Sequence, residues 1–120
     1  MLPKKNRLDR KSIEKVFKDG KFINAPNLSL KYFTARTTLA ETRIAFIAPK
    51  TVSKKAVERN LLRRRGYSLI EKRLTSLPGG FHGAFIFGKK SLALFGGRRK
   101  KRKESAENLA KELELILKKL

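Results

Sequence analysis

Cysteine is absent from this chain, so neither a disulfide framework nor a cysteine zinc site can hold it together. Long apolar runs are missing too. Stretches such as IAFIA and AFIF fall far short of the ~20 residues of a membrane span, and the opening MLPKKNRLDR carries no apolar signal segment. Nothing here demands an oxidising compartment or a bilayer, and the expectation is a cytoplasmic protein with no membrane partner. Acidic side chains are scarce, ten Asp and Glu in all, and His82 is the single histidine. It stands in a Gly-rich turn without a neighbouring Cys or carboxylate, so a metal or acid-base role has no support. With no clustered carboxylates, the chain has no evident hydrolytic site of its own.

What is abundant is positive charge. Thirty-one Lys and Arg give a net charge of +21 over 120 residues. Solubility needs a net charge of only about 2 to 8, and self-repulsion on this scale opposes a compact fold unless a polyanion neutralises it. A polyanionic partner follows. The charge is also unevenly placed: residues 1–103 hold 28 basic and 6 acidic side chains, whereas residues 104–120 hold three and four. The anion-binding surface is therefore upstream of a nearly neutral C-terminal helix, which also argues against a polybasic membrane-surface role.

The length fits one small domain, 1–120, with one core. Asp9 is a plausible N-cap for a helix over RKSIEKVFK, with Ile13, Val16 and Phe17 on one stripe and Gly20 as its stop. NLSLKYFT alternates, with Leu28, Leu30 and Tyr32 on one side and Ser29, Lys31 and Phe33 on the other. After a polar turn near Thr37 to Glu41, TRIAFIA reads as a second strand. The helical pattern then runs from about Val52 or Ser53 to Leu74, ended by SLPGG, and GAFIFG is a third strand. The segment 89–103 reads as a basic loop insertion, and from Glu104 onward Leu109, Leu113, Ile116, Leu117 and Leu120 mark a last helix. The order α-β-β-α-β-α describes an α+β fold with helices packed on one face of a small sheet, leaving the other face free to bind. Phe46, Phe85 and Phe87 belong in the core.

The stretch KAVERNLLRRRG carries the chemistry. At about 100° per residue, Arg59, Asn60, Arg63 and Arg64 span an arc of roughly 140° on the helix side away from Leu62 and Leu69. A solvated helix face normally interleaves acids four residues away, but Glu58 and Glu71 are the only acids in this helix. Arginine forks match phosphate oxygens bidentately and Asn adds an amide that donates and accepts, a mixture suited to an RNA backbone. GAFIFGKKS, Gly83 to Ser91, only mimics a nucleotide-binding loop, because Lys90 follows Lys89 where Ser or Thr is required and AFIF is a strand.

VERNLLRRR resembles the arginine-asparagine signature of the bacterial ribonuclease P protein component. The opening LPKKNRLDRKSIEKVFKDGK is similar to the start of that family, and RIAFIAPK to its strand before a Ser-Lys-Lys turn, together covering roughly residues 2–75 in order. Departures are Leu61-Leu62 between Asn60 and the basic pair, Pro49-Lys50-Thr51 at the turn, and Ile13 where the family has an aromatic.

The resemblance implies a left-handed strand-helix-strand crossover and a protein without catalytic residues, one that assists a catalytic RNA. That RNA removes 5′ leaders from precursor tRNA by magnesium-dependent hydrolysis, and the expected assembly is one protein monomer with one RNA. Carried over, Arg59, Asn60, Arg63 and Arg64, with Lys54 and Lys55, face the catalytic RNA. Ile13, Phe17, Lys31 and Phe33 line the cleft for the single-stranded leader. Arg98, Arg99, Lys100, Lys101, Arg102 and Lys103 are candidates for further phosphate contacts. The reading in a different class is a structural RNA-binding protein of the ribosome, with no part in cleavage.

Overall fold

A computed structural model describes residues 4–34 and 41–120. Helix α1, Arg10–Asp19, begins where the Asp9 carboxylate accepts a hydrogen bond from the Ser12 N–H at 2.7 Å. That cap satisfies one of the donors a helix start leaves open. The helix ends at Gly20, whose N–H donates to the Val16 carbonyl at 2.8 Å, and whose missing Cβ would stand 2.3 Å from that oxygen. No side chain fits there.

The sheet has four strands: β1, Lys21–Asn24; β2, Leu28–Thr34; β3, Arg43–Ile47; and β4, Phe81–Phe87. Their spatial order is β1-β2-β4-β3, antiparallel except for the β3–β4 pair, which is parallel and joined through helix α2, Ala56–Glu71. The α+β class stands as the sequence indicates, with β1 as an additional strand. Its four residues KFIN are largely exposed and show no alternation of burial, so periodicity gives no signal for it. The turn expected near Thr37 to Glu41 lies largely outside the described residues.

Alternation in β2 sorts its side chains as expected. Leu28 and Leu30 join Ile44, Phe46, Phe81, Phe85 and Phe87 in the main core, closed by Leu62 and Ile70 of α2 and by Leu109, Leu113 and Ile116 of α4, Arg102–Leu117. The Phe46 and Phe85 rings stack with centroids 4.8 Å apart. Gly66 lets α2 approach this stack, since a Cβ there would meet the Phe46 ring at 2.5 Å.

The opposite sheet face is not bare, which corrects the expectation of helices on one side only. Val16 of α1, with Leu8, Ala45 and Ala84, forms a second small core against which Ile13, Phe33 and Ile47 pack. The apolar stripe of α1 requires a partner surface, and the alternate side chains of the strands supply it.

A second correction concerns residues 89–103. Ser91–Phe95 form a short helix, α3, with Ser91 and Phe95 buried; Arg99–Lys101 make a 3-10 turn; and Arg102 and Lys103 already belong to α4. Five residues are too few to show helical periodicity, but Phe95 reaches Phe87 of the core at 6.2 Å between centroids.

Candidate nucleic-acid interface

Helix α2 buries Leu62, Gly66 and Ile70 against the sheet and turns its basic residues outward. Its start is organised by Ser53. The Ser53 hydroxyl accepts from the Lys55 N–H at 3.1 Å and donates to a Glu58 carboxylate oxygen at 2.6 Å, while Arg59 Nη1 donates to the Ser53 carbonyl at 2.9 Å. One of the helix's two acids is thereby engaged locally. The Arg63 guanidinium donates to the Asn60 side-chain oxygen one turn earlier, which fixes both polar groups on the same exposed arc. Lys54, Lys55, Asn60 and Arg64 are exposed, and Arg59 and Arg63 are half-buried. Arg59, Asn60, Arg63 and Arg64 thus share the outward side.

Arg65 behaves differently. Its Nη1 donates to the Phe95 carbonyl at 2.6 Å, joining α2 to the end of α3. Partial burial, and then the charges of Arg102 and Arg98, hold its guanidinium below the usual arginine range. Between α2 and the start of α4 lies a groove of about 870 Å³, walled by Arg64, Arg65, Lys72, Arg98, Arg99 and Arg102. Of the expected basic run 98–103, three residues therefore line a formed groove.

Across the sheet, a second constellation surrounds Lys31. Lys31 Nζ donates to the Phe17 carbonyl at 3.2 Å and stands 5.4 Å from the Phe17 ring centroid and 5.8 Å from that of Phe22. Phe17 is 37% exposed and Phe22 50%. Large rings left in water beside an ammonium group offer stacking faces next to a phosphate partner. Phe22 escaped sequence reasoning because it sits on β1, the strand without a periodic signature. Phe33 lies farther along β2, edge-on to His82 at 4.8 Å and under Lys15 Nζ at 5.1 Å. Ile13 is half-buried in the small core beneath α1.

His82 faces this same side. Its ordinary value is depressed, first by burial and then by Arg43, and its Nδ1 has no hydrogen-bond partner among the described residues. GAFIFGKKS runs along β4 and into α3. No group of three or more His, Asp or Glu is placed to hold a metal ion, and no helix is long and apolar enough to cross a membrane, among the described residues.

Residues 2–120 match the family model described as Ribonuclease P. The chain is also 39% identical, over 82 residues, to the ribonuclease P protein component of Pseudanabaena sp. (strain PCC 6903), covering 67% of this chain and 69% of that protein. The chain belongs to the ribonuclease P protein family. Solved structures agree on the fold. The ribonuclease P protein of Thermotoga maritima superposes with a TM-score of 0.77 at 21% identity, covering 95% of this chain and 96% of that one. That of Staphylococcus aureus gives 0.73 at 13% identity over 94% and 93%. At such identities the likeness shows the fold alone. Within the ribonuclease P family fold, it is this chain's own residues that define its charge pattern.

Proposed function

We propose that this protein is the protein subunit of ribonuclease P, binding the catalytic RNA and the 5′ leader of precursor tRNA. Its role is to assist magnesium-dependent endonucleolytic removal of that leader. The single observation that carries the reading is the separation of two RNA-compatible surfaces by one sheet. An arginine-asparagine face lies on α2 in one layer, and an aromatic-lysine face lies on α1, β1 and β2 in the other.

The division of labour follows from the side chains. Arg59, Arg63 and Arg64, with Asn60, Lys54 and Lys55 beside them, present forks and point charges to a folded RNA backbone. Phe17, Phe22 and Phe33 offer rings to unpaired bases, with Lys31 and Lys15 for the intervening phosphates and Ile13 supporting α1 from below. Among the described residues no group of three or more His, Asp or Glu is placed to hold a metal ion, and in this reading the magnesium ion is held through RNA phosphates. The metal and the hydrolytic step belong to the RNA. What the protein supplies is charge neutralisation and substrate positioning, as a monomer with one RNA.

The reading is tested by replacing Arg59 and Arg63 together with Ala and measuring two affinities. RNA-subunit assembly should weaken by an order of magnitude or more, while the leader-dependent gain in precursor affinity is largely kept. Equal loss of both would contradict the division of the surface. Full RNA binding with no effect of leader length would favour a purely structural RNA-binding protein.

A further inference from the structure

We propose that the groove between α2 and the start of α4 is a second RNA-backbone site, one that brackets successive phosphates of a single strand from two sides. This deepens the reading above and rests on it, because the strand is taken to belong to the same RNA that meets α2. One wall is Arg64, Arg65 and Lys72; the other is Arg98, Arg99 and Arg102. None of the residues lining the groove is acidic. Six cations around one cleft repel each other, and nothing in its lining offsets that repulsion.

The cleft is built, not a chance gap between flexible side chains. Arg65 is tied to the Phe95 carbonyl, the Gly97 N–H donates to the Ser105 hydroxyl at 2.8 Å, and Asn108 Nδ2 donates to the Leu94 carbonyl at 3.2 Å. The first bond ties the end of α3 to α2, and the other two tie the 94–97 segment to α4. A separate observation concerns the backbone: Arg99 has φ of 56°, the only non-glycine residue with positive φ among those described. A left-handed arginine is an uncommon conformation that persists only where the surroundings impose it, and such residues gather at binding sites.

The lining also says what kind of contact this is. Its apolar members are Leu61, Leu69 and Ala106, with no aromatic ring for a base to stack on and no Asn or Gln to read a base edge. Ser68 adds a hydroxyl donor. Forks and a lysine over an aliphatic floor recognise phosphate and sugar and position a strand without reading its sequence. Arg64 borders both this groove and the Arg59–Arg63 arc, so one RNA can continue from one to the other.

The test uses the full chain and the RNA subunit of a bacterial ribonuclease P, with affinity measured across a range of salt. Four proteins are compared: wild type; Arg98→Ala with Arg102→Ala; Arg99→Gly; and Lys111→Ala with Lys118→Ala, which removes two charges from the far side of α4. The groove variant should bind at least tenfold more weakly near 0.1 M salt. Its slope of log affinity against log salt should fall by roughly 1.4 to 1.8, since each phosphate contact contributes about 0.7 to 0.9. The control should keep its slope within a few tenths. Arg99→Gly suits the left-handed backbone, so it removes a groove charge without a folding penalty, and it should lower the slope by about half as much. A groove variant indistinguishable from the control overturns the site while leaving ribonuclease P assembly intact. Failure of the wild type to bind this RNA specifically overturns the underlying reading instead.

Discussion

The carboxylate of Glu112 on α4 accepts two hydrogen bonds from Asn27, one from its backbone N–H at 2.7 Å and one from its side-chain amide at 3.2 Å. The two residues are 85 positions apart, and Glu112 is only 9% exposed. Asn27 also accepts, at its carbonyl, from the Gly88 N–H at 2.9 Å and the Ser91 hydroxyl at 3.0 Å. One turn residue thus joins the β1–β2 hairpin, the end of β4 and α4. Glu112→Ala should therefore cost about 1–3 kcal/mol of stability, the range for stranding a buried donor. Chemical denaturation of the purified variant measures it, and an unchanged midpoint would show that the contact is not structural.

Gly66 is the point where α2 leans on the sheet. A Cβ there would overlap the Phe46 ring, so Gly66→Ala should lose about 1–3 kcal/mol even though alanine is the better helix former. If the variant melts at or above the wild-type temperature, the close packing of α2 on Phe46 is not as described.

Phe17 and Phe22 stand over Lys31 without being part of either core. Replacing both with Ala should change stability little, within ~0.5 kcal/mol. The same change should weaken binding of a precursor tRNA carrying a leader by about 2–6 kcal/mol in total, at ~1–3 kcal/mol per stacked base. Binding of mature tRNA by the reconstituted complex should be unaffected. Equal effects on both substrates would remove these rings from the leader surface.

The Asp9 cap gives a pH dependence of known sign. Hydrogen bonds from Ser12 lower the carboxyl below its ordinary value, with smaller help from Arg43 and Lys11. A carboxyl depressed on folding contributes stability above its unfolded value of about 3.9, and that contribution is lost as pH falls through the folded value. Asp9→Asn keeps a capping oxygen but cannot titrate. The melting temperature of the wild type relative to this variant should therefore drop as pH is lowered from about 5 towards 2. A difference that stays flat over this range would exclude the cap.

Much of this was legible in the residues themselves. Asp9 and Gly20 bound the first helix, the alternation of LSLKYFT sorts β2 between two faces, and Leu109, Leu113 and Ile116 place α4. These signals are local: a cap, a two-residue period, a helical stripe. What escaped depends on partners distant in the chain. Strand β1 exists because Leu30 and its neighbours on β2 pair with it, not because KFIN has a pattern of its own. Helix α3 is held by Phe95 in the main core, and the second face is covered because Val16 meets Ala45 and Ala84 across the sheet. The cationic groove was half visible. Arg98, Arg99 and Arg102 stood out as charge, but their opposition to Arg64, Arg65 and Lys72 is a tertiary fact.

Precursor-tRNA cleavage by a bacterial ribonuclease P RNA at low magnesium, with and without this protein, tests the central claim most directly. The account expects the protein to raise the rate of cleavage at the correct 5′ position at least tenfold, and by less when Arg59 and Arg63 are both Ala. Tight RNA binding without any gain in correct cleavage, using a cognate RNA subunit, would contradict it.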